Sequence, residues 1–208
     1  MEYSGHDAGR LLKRWESLAG SKGWTTHVLG EAGGYPVFAL LNERAAAGEA
    51  GGLYVSAGVH GDECAPPWAL LQWAEAGPAV LDELPVVLIP CFNPVGLSDN
   101  TRVNEEGIDL NRNFQNRDLP LIASWQSLLH EKKFTFALNL HEDYDATGIY
   151  LYEIADDGSP GDEILSACQD IIPRETAPSV DGSEFENGLL IHDPEAENLH
   201  QIVEEDLG

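Results

Sequence analysis

Apolar residues fall along the chain in two rhythms. Leu11, Leu12, Trp15 and Leu18 follow a polar start at helical spacing, so residues 7–19 are predicted to form an amphipathic helix ending near Gly20 and Gly23. Beyond it the apolar positions gather into short runs at 37–41, 53–59, 86–92, 134–140 and 149–152. Each run is about strand length, rich in β-branched or aromatic residues, and bounded by Gly, Pro, Asn or Asp. Between them, 65–75, 119–132 and 162–172 have helical length and composition. Such alternation predicts a layered α/β fold with several central strands. The Ala- and Gly-rich run 44–52 reads as a turn between strands, and with neither a repeat nor a domain boundary in sight, residues 1–208 are expected to form a single domain. The stretch 98–114 is polar and without period, which in a compact domain marks a functional loop more often than a plain connection. At the far end 195–207 has helical composition, yet the sequence stops at Gly208 without a closing element, so a C-terminal strand and helix are expected to be lacking.

Charge narrows the range of partners. The 208 residues carry 36 acidic and 11 basic side chains, a formal net charge of -25, which speaks against nucleic acid and anionic membrane. The first 104 residues hold 6 bases and 12 acids, the rest 5 and 24, and no Lys or Arg follows Arg174. A solvated acidic face is the expected reading of that asymmetry, and attraction of a cationic partner is the alternative. With 43% hydrophobic and 23% charged residues the chain is globular in composition, and at this length it buries roughly 70% of its unfolded surface. It needs no metal for stability, so any metal is free to be catalytic. Cys64, Cys91 and Cys168 are odd in number and form no C-x-x-C, which argues against a disulfide framework and a thiolate zinc site. The opening MEYSGHDAGR lacks a basic segment followed by an apolar stretch, and no run approaches 18 apolar residues, so a cytoplasmic location is expected.

The first candidate for chemistry is His60-Gly61-Asp62-Glu63, an H-x-x-E directly after the run 53–59. The spacing alone is weak, since His192 and Glu195 repeat it, but only His60 follows a predicted strand and is flanked by Gly58 and Gly61, which allow a tight turn. A catalytic zinc site takes three protein ligands and leaves one position open. His141, at the end of the run 134–140, is the candidate third ligand. A lone His at a strand end is more often a hydrogen-bonded structural residue, so the case rests on the other motifs. These are Asn93-Pro94-Val95-Gly96, then Arg102, then Gly107-Ile108-Asp109-Leu110-Asn111-Arg112-Asn113-Phe114.

In order, spacing and surroundings this set resembles the zinc carboxypeptidase family over roughly residues 53–153. The resemblance implies a three-layer α/β fold, a mixed β-sheet with helices on both faces, of the phosphorylase/hydrolase-like type. It implies one Zn2+ held by His60, Glu63 and His141, substrate-carboxylate binding by Asn111 and Arg112, and polarisation of the scissile carbonyl by Arg102. Among relatives the pattern looks closest to bacterial forms such as murein peptide amidase. Aspartoacylase and succinylglutamate desuccinylase share the H-x-x-E and Asn-Arg logic, so the expected substrate is a peptide or an N-acyl amino acid with a free carboxylate.

The chemistry of these side chains agrees. A guanidinium offers a rigid fork that fits a carboxylate, and an oxyanion-facing donor typically contributes about 3 to 4 kcal/mol. Asp109 is expected to hold the loop by accepting backbone hydrogen bonds, Glu142 and Asp143 either to back a ligand imidazole or to be solvated loop acids, and Cys64 to be a small packed residue rather than a nucleophile. One departure from the family stands out. Its general base is a Glu on a later strand, and no T-x-E on an apolar strand follows His141; Glu184 and Glu186 lie in a polar segment, and Tyr144, Tyr150 and Tyr152 cannot be aligned with the family's Tyr. Three readings follow: an amide hydrolase of the carboxypeptidase type, an N-acyl amino acid deacylase, and a metal-binding pseudoenzyme.

Overall fold

A computed structural model describes residues 4–130, 132–154, 160–180 and 182–192. The chain divides into two units, Met1–Glu142 and Asp143–Gly208. The first opens with α1 (Ala8–Lys22), whose N-terminus is capped by the Asp7 carboxylate accepting the Arg10 N–H at 2.9 Å. Gly23, at φ 67°, closes it by donating its N–H to the carbonyls of Ala19 and Gly20, so the helix runs a turn past its apolar stripe to the residue able to turn left-handed.

Next comes a hairpin of which only half was legible. β2 (Tyr35–Leu41) matches the run at 37–41, but β1 (Thr25–Ala32) shows one buried side chain, Leu29, and no alternation. It is held by its antiparallel ladder to β2, interrupted between Val28 and Gly30, and by a turn in which Gly33 and Gly34 both have positive φ. That Gly-Gly pair was the available signal. The expected turn at 44–52 begins with one helical turn, α2 (Glu43–Ala46), capped by Asn42. There follow β3 (Leu53–Ala57), α3 (Ala65–Glu75, as predicted), α4 (Val80–Glu83), β4 (Val86–Ile89), α5 (Pro94–Asp99), a 3-10 turn at Asn111–Asn113, α6 (Pro120–Leu129) and β5 (Phe136–Leu140).

The sheet has the order β1-β2-β4-β3-β5; β2 is antiparallel to both neighbours, and β3 runs parallel to β4 and β5. One face packs Leu40, Val55 and Leu88 against Leu11, Trp15, Trp68 and Leu71 of α1 and α3. The other packs Val37, Val87 and Ile89 against a layer that includes Leu121, Trp125 and Leu129 of α6. This is the expected mixed sheet between helical layers. β4 is buried on both faces, with all four side chains at most 1% exposed, each stabilising by roughly 1.5–3 kcal/mol, which explains why its run has no polar alternation. No helix among the described residues is long and apolar enough to cross a membrane.

The runs at 53–59 and 86–92 are longer than the strands they contain. The chain leaves the ladder at Gly58, φ 66°, although the Phe92 and Asn93 N–H groups still donate to the carbonyls of Ala57 and Gly58 at 3.2 and 2.8 Å. This brings the segments after β3 and β4 side by side.

In the second unit β6 (Leu151–Ile154) pairs in parallel with β9 (Leu189–His192), α7 (Gly161–Cys168) lies between them in sequence, and β7 (Ser179–Val180) pairs with β8 (Ser183–Glu184). The strand predicted at 149–152 is therefore displaced by two residues and belongs to a separate two-stranded sheet; the helix predicted at 162–172 ends at Cys168. Tyr150, Tyr152 and Phe185 meet edge to face with centroids 4.9 to 5.9 Å apart. Residues 195–207 lie outside the described residues.

Glu175 anchors this unit. Only 3% exposed, its carboxylate accepts the backbone N–H groups of Ala177, Thr147, Thr176 and Gly148 at 2.6 to 3.0 Å, and those of Ala177 and Thr147 chiefly hold its pKa down to about 2. A depressed folded value stabilises fully above the unfolded value, near 4.5, and that contribution is lost as pH falls toward about 2. Amide hydrogen exchange at these four residues is expected to accelerate in the wild type over that window. In Glu175→Gln, where donors meet donors, it should already be fast at pH 7; unchanged protection in the variant would contradict the anchoring role.

Candidate metal centre

The turn carrying His60 and Glu63 leaves β3 and runs into α3, whose first turn begins with Ala65-Pro66-Pro67. Its position is fixed by contact with α5. A Cβ on Gly61 would lie 1.9 Å from the Gly96 carbonyl carbon, so two backbones meet where only glycines allow it. Asn93 sets α5 in place, accepting the Gly96 N–H at 2.8 Å and donating to the Arg102 carbonyl at 3.3 Å. The Asn93-Pro94-Val95-Gly96 motif is thus a helix cap and a packing platform.

His141 arrives from β5, parallel to β3, so the two strands end on the same side of the sheet. Glu142 holds that end down: its N–H donates to Glu63 Oε2 at 2.9 Å, and its own Oε2 accepts the Ala65 N–H, at the N-terminus of α3, at 3.1 Å. Of the two roles open to Glu142 and Asp143, backing a ligand ring is not the one found. The His141 ring nitrogens face Glu63 and Asn139, while Asp143 accepts the Tyr150 hydroxyl.

Glu63 is the hub. Its Oε1 faces His60 Nδ1 at 2.5 Å and its Oε2 faces His141 Nδ1 at 3.0 Å; the two rings are 4.9 Å apart and inclined at 57°. One ligand atom from each of the three residues lies within 4.8 Å of the others. Burial works against the charge on Glu63, but hydrogen bonds from His141 and His60 outweigh it and lower its pKa to about 2. On the far side His60 Nε2 donates to Asp109 Oδ1 at 3.2 Å. Burial also opposes charge on His60, and the Asp109 and Glu63 carboxylates overcome it, raising its pKa above the usual imidazole value.

Asp109 does more than the loop-holding role read from sequence. It accepts the Asn111 N–H at 2.9 Å and also bridges His60 to Arg102, whose Nε donates to Oδ2 at 2.9 Å. Its pKa is lowered despite burial, through His60 and then Arg102. The structure thus brings His60, Glu63, His141, Asp109 and Arg102 into one hydrogen-bonded group. Buried Asn111 and exposed Arg112 follow on the 3-10 turn that Asp109 anchors. The loop at 98–114 is ordered by Asn104, which accepts the N–H groups of Glu106 and Ile108. Burial, then the nearby Glu142 charge, raise the Cys64 thiol pKa, which disfavours the thiolate that a nucleophile needs.

These residues suit a divalent metal. The donor set is two imidazoles and a carboxylate ionised at neutral pH, both Nδ1 atoms face that carboxylate, and His60 already has an outer carboxylate on its other nitrogen. His60 and Glu63 are 2% and 5% exposed, whereas His141 is accessible, so the cluster is closed on one side and open on the other.

Residues 49–157, more than half of the chain, match the succinylglutamate desuccinylase/aspartoacylase catalytic domain. No curated protein matches the sequence. Among solved structures, a candidate metallopeptidase from Shewanella amazonensis superimposes with a TM-score of 0.78 at 24% identity, covering 90% of this chain and 76% of that one. A second, from Shewanella denitrificans, gives 0.80 at 21% identity with 90% and 73% coverage. A metallo-carboxypeptidase from Pseudomonas aeruginosa, in complex with (2-guanidinoethylmercapto)succinic acid, gives 0.53 at 22% identity with 71% and 42% coverage. At these identities the likeness concerns the fold.

Proposed function

The chain belongs to the succinylglutamate desuccinylase/aspartoacylase catalytic-domain family, and from that premise we propose that it is a zinc-dependent hydrolase cleaving an amide bond next to a free carboxylate. The observation that carries this reading is the meeting of His60, Glu63 and His141, drawn from two strand ends, around one accessible point. In this reading the three side chains hold one zinc ion, which when bound supplies Lewis acidity and activates water. Arg102 polarises the substrate carbonyl. Asp109 takes its Nε, which leaves both Nη groups without a partner among the described residues and able to donate to a developing oxyanion. Loss of such a donor costs about 3 to 4 kcal/mol, or 10²- to 10³-fold in kcat. Asn111 and Arg112 receive the substrate's carboxylate, the planar guanidinium through paired hydrogen bonds.

Two substrate classes compete. The family match favours an N-acyl amino acid such as an acylated aspartate or succinylglutamate, while the solved neighbours, which speak to fold, point to peptides. We take the acyl amino acid as the better supported. Purified chain with zinc is expected to hydrolyse N-succinylglutamate or N-acetylaspartate, to stop on addition of a chelator and to resume when zinc is restored. Hydrolysis of a carboxyl-terminal dipeptide alone would reverse the assignment. Zinc binding without turnover of any of these would leave the pseudoenzyme reading, for which the unassigned general base is the sequence support.

A further inference from the structure

We propose that Asn139 and Ser56 form an amide relay that positions His141 and determines which of its ring nitrogens carries the proton. The inference rests on the metal-site reading above. In the register of β3 with β5, Ser56 stands opposite Asn139. Ser56 is 2% exposed, so its hydroxyl needs a partner inside the protein, and it donates to Asn139 Oδ1 at 2.9 Å. Asn139 Nδ2 donates in turn to His141 Nε2 at 2.9 Å, and His141 Nδ1 donates to Glu63 Oε2 at 3.0 Å. The four groups form one directed chain in which the proton of a neutral His141 sits on Nδ1.

Ligation through Nδ1 requires the opposite tautomer, with the lone pair on Nδ1 and the proton on Nε2, and that proton then needs an acceptor. Asn139 provides one by a half-turn of its amide. Oδ1 then accepts from His141 Nε2, and Nδ2 donates to Ser56 Oγ, which as a hydroxyl accepts as readily as it donates. In both arrangements Asn139 stays between Ser56 and the Nε2 of His141. An Asp at 139 could only accept and would hold a proton on Nε2 at all times; a Leu would serve neither state. The other imidazole is managed differently: the Nε2 of His60 faces Asp109, an acceptor-only carboxylate. His60 thus has a permanent acceptor on its Nε2, whereas His141 gains one only when the Asn139 amide turns.

The test is zinc affinity, measured by competition with a chelating dye, in the 208-residue wild type and in Asn139→Leu, Asn139→Asp and Ser56→Ala. Nitrogen NMR of the His141 ring with and without zinc accompanies it, and circular dichroism checks folding. Asn139→Leu is expected to raise the zinc Kd about 10- to 100-fold, the range for loss of an outer-sphere partner. Asn139→Asp should bind at least as tightly as the wild type, and Ser56→Ala should fall between. In the wild type the proton is expected on Nδ1 without zinc and on Nε2 with it, whereas in Asn139→Asp the Nε2 carries a proton in both states. A merely structural Asn139 would make Asp and Leu equivalent and leave the tautomer of folded protein unchanged. Wild-type zinc binding that disappears in His141→Ala but persists at full affinity in Asn139→Leu overturns the relay alone; if Asn139→Leu does not fold, a zinc-free Asn139→Asp with Nε2 unprotonated does the same. A wild type that binds no zinc overturns the metal site and the relay with it.

Discussion

In His141→Ala, stoichiometric zinc is expected to disappear while the fold survives. The His141 side chain is 33% exposed, and its removal leaves Glu63 Oε2 still accepting the Glu142 N–H at 2.9 Å, with His60 on Oε1. Losing a direct ligand should weaken zinc by more than the roughly 10- to 100-fold that an outer-sphere change brings. His60→Ala separates from it through stability. That side chain is 3% exposed and lies between two carboxylates, Glu63 and Asp109, whose charges it helps to compensate. Breaking a buried pair of this kind costs about 3–5 kcal/mol, or roughly 6–20 °C in melting temperature for a chain of this size. The same pair gives the metal-free wild type a pH signature. Glu63, with a depressed pKa, stabilises above its unfolded value near 4.5 and ceases to as pH falls toward about 2; His60, with a raised pKa, stabilises below its unfolded value near 6.5 and ceases to as pH rises through its folded value. Stability should therefore be greatest between about pH 4.5 and 6.5, and the alkaline limb should flatten in His60→Ala. Elemental analysis and thermal melts check each point, and equal zinc content in wild type and both variants would refute the metal site.

The elements legible in the sequence are those whose burial is two-sided or one-striped. β3, β4, α1 and α3 announce themselves because apolar side chains must fill both faces of a central strand or one face of a helix. β1 does not, since its stability lies in backbone hydrogen bonds and a Gly-Gly turn, and α5 was hidden because a six-residue helix capped by Asn93 has no room for a period. The candidate site divides in the same way. His60, Glu63 and His141 carry chemistry that few other residue types can supply, so their types and strand-end positions mark them as candidates. Asp109, Glu142, Asn139 and Ser56 are ordinary polar residues whose roles come from register and chain crossing, and spacing alone does not encode those.

The largest effect away from the ligands is expected at Gly61. Its backbone is not left-handed, so no conformational penalty attaches to an L side chain there; the obstacle is space. An added Cβ would stand 1.9 Å from the Gly96 carbonyl carbon, 2.2 Å from the Leu97 nitrogen and 2.4 Å from the Gly96 Cα, all of them backbone atoms that no rotamer change can move. Gly61→Ala must therefore push the His60–Glu63 turn away from α5. Overpacking of this kind costs about 1–3 kcal/mol or more, which for a chain of this length lowers the melting temperature by roughly 2–12 °C. Zinc affinity should fall as well, since the displaced turn carries two of the three side chains proposed to hold the ion. Two other glycines provide controls. Gly107, at φ 75°, has nothing within 4 Å of its would-be Cβ, so Gly107→Ala should cost only the backbone strain, about 1–2 kcal/mol, and leave zinc affinity intact. Gly20 lies inside α1 with open space around it, so Gly20→Ala should stabilise the chain by about 0.5–1 kcal/mol. Melting curves and zinc titrations of the three variants would separate crowding from strain, and a Gly61→Ala chain with wild-type melting and wild-type zinc affinity would show that the turn does not depend on α5 for its place.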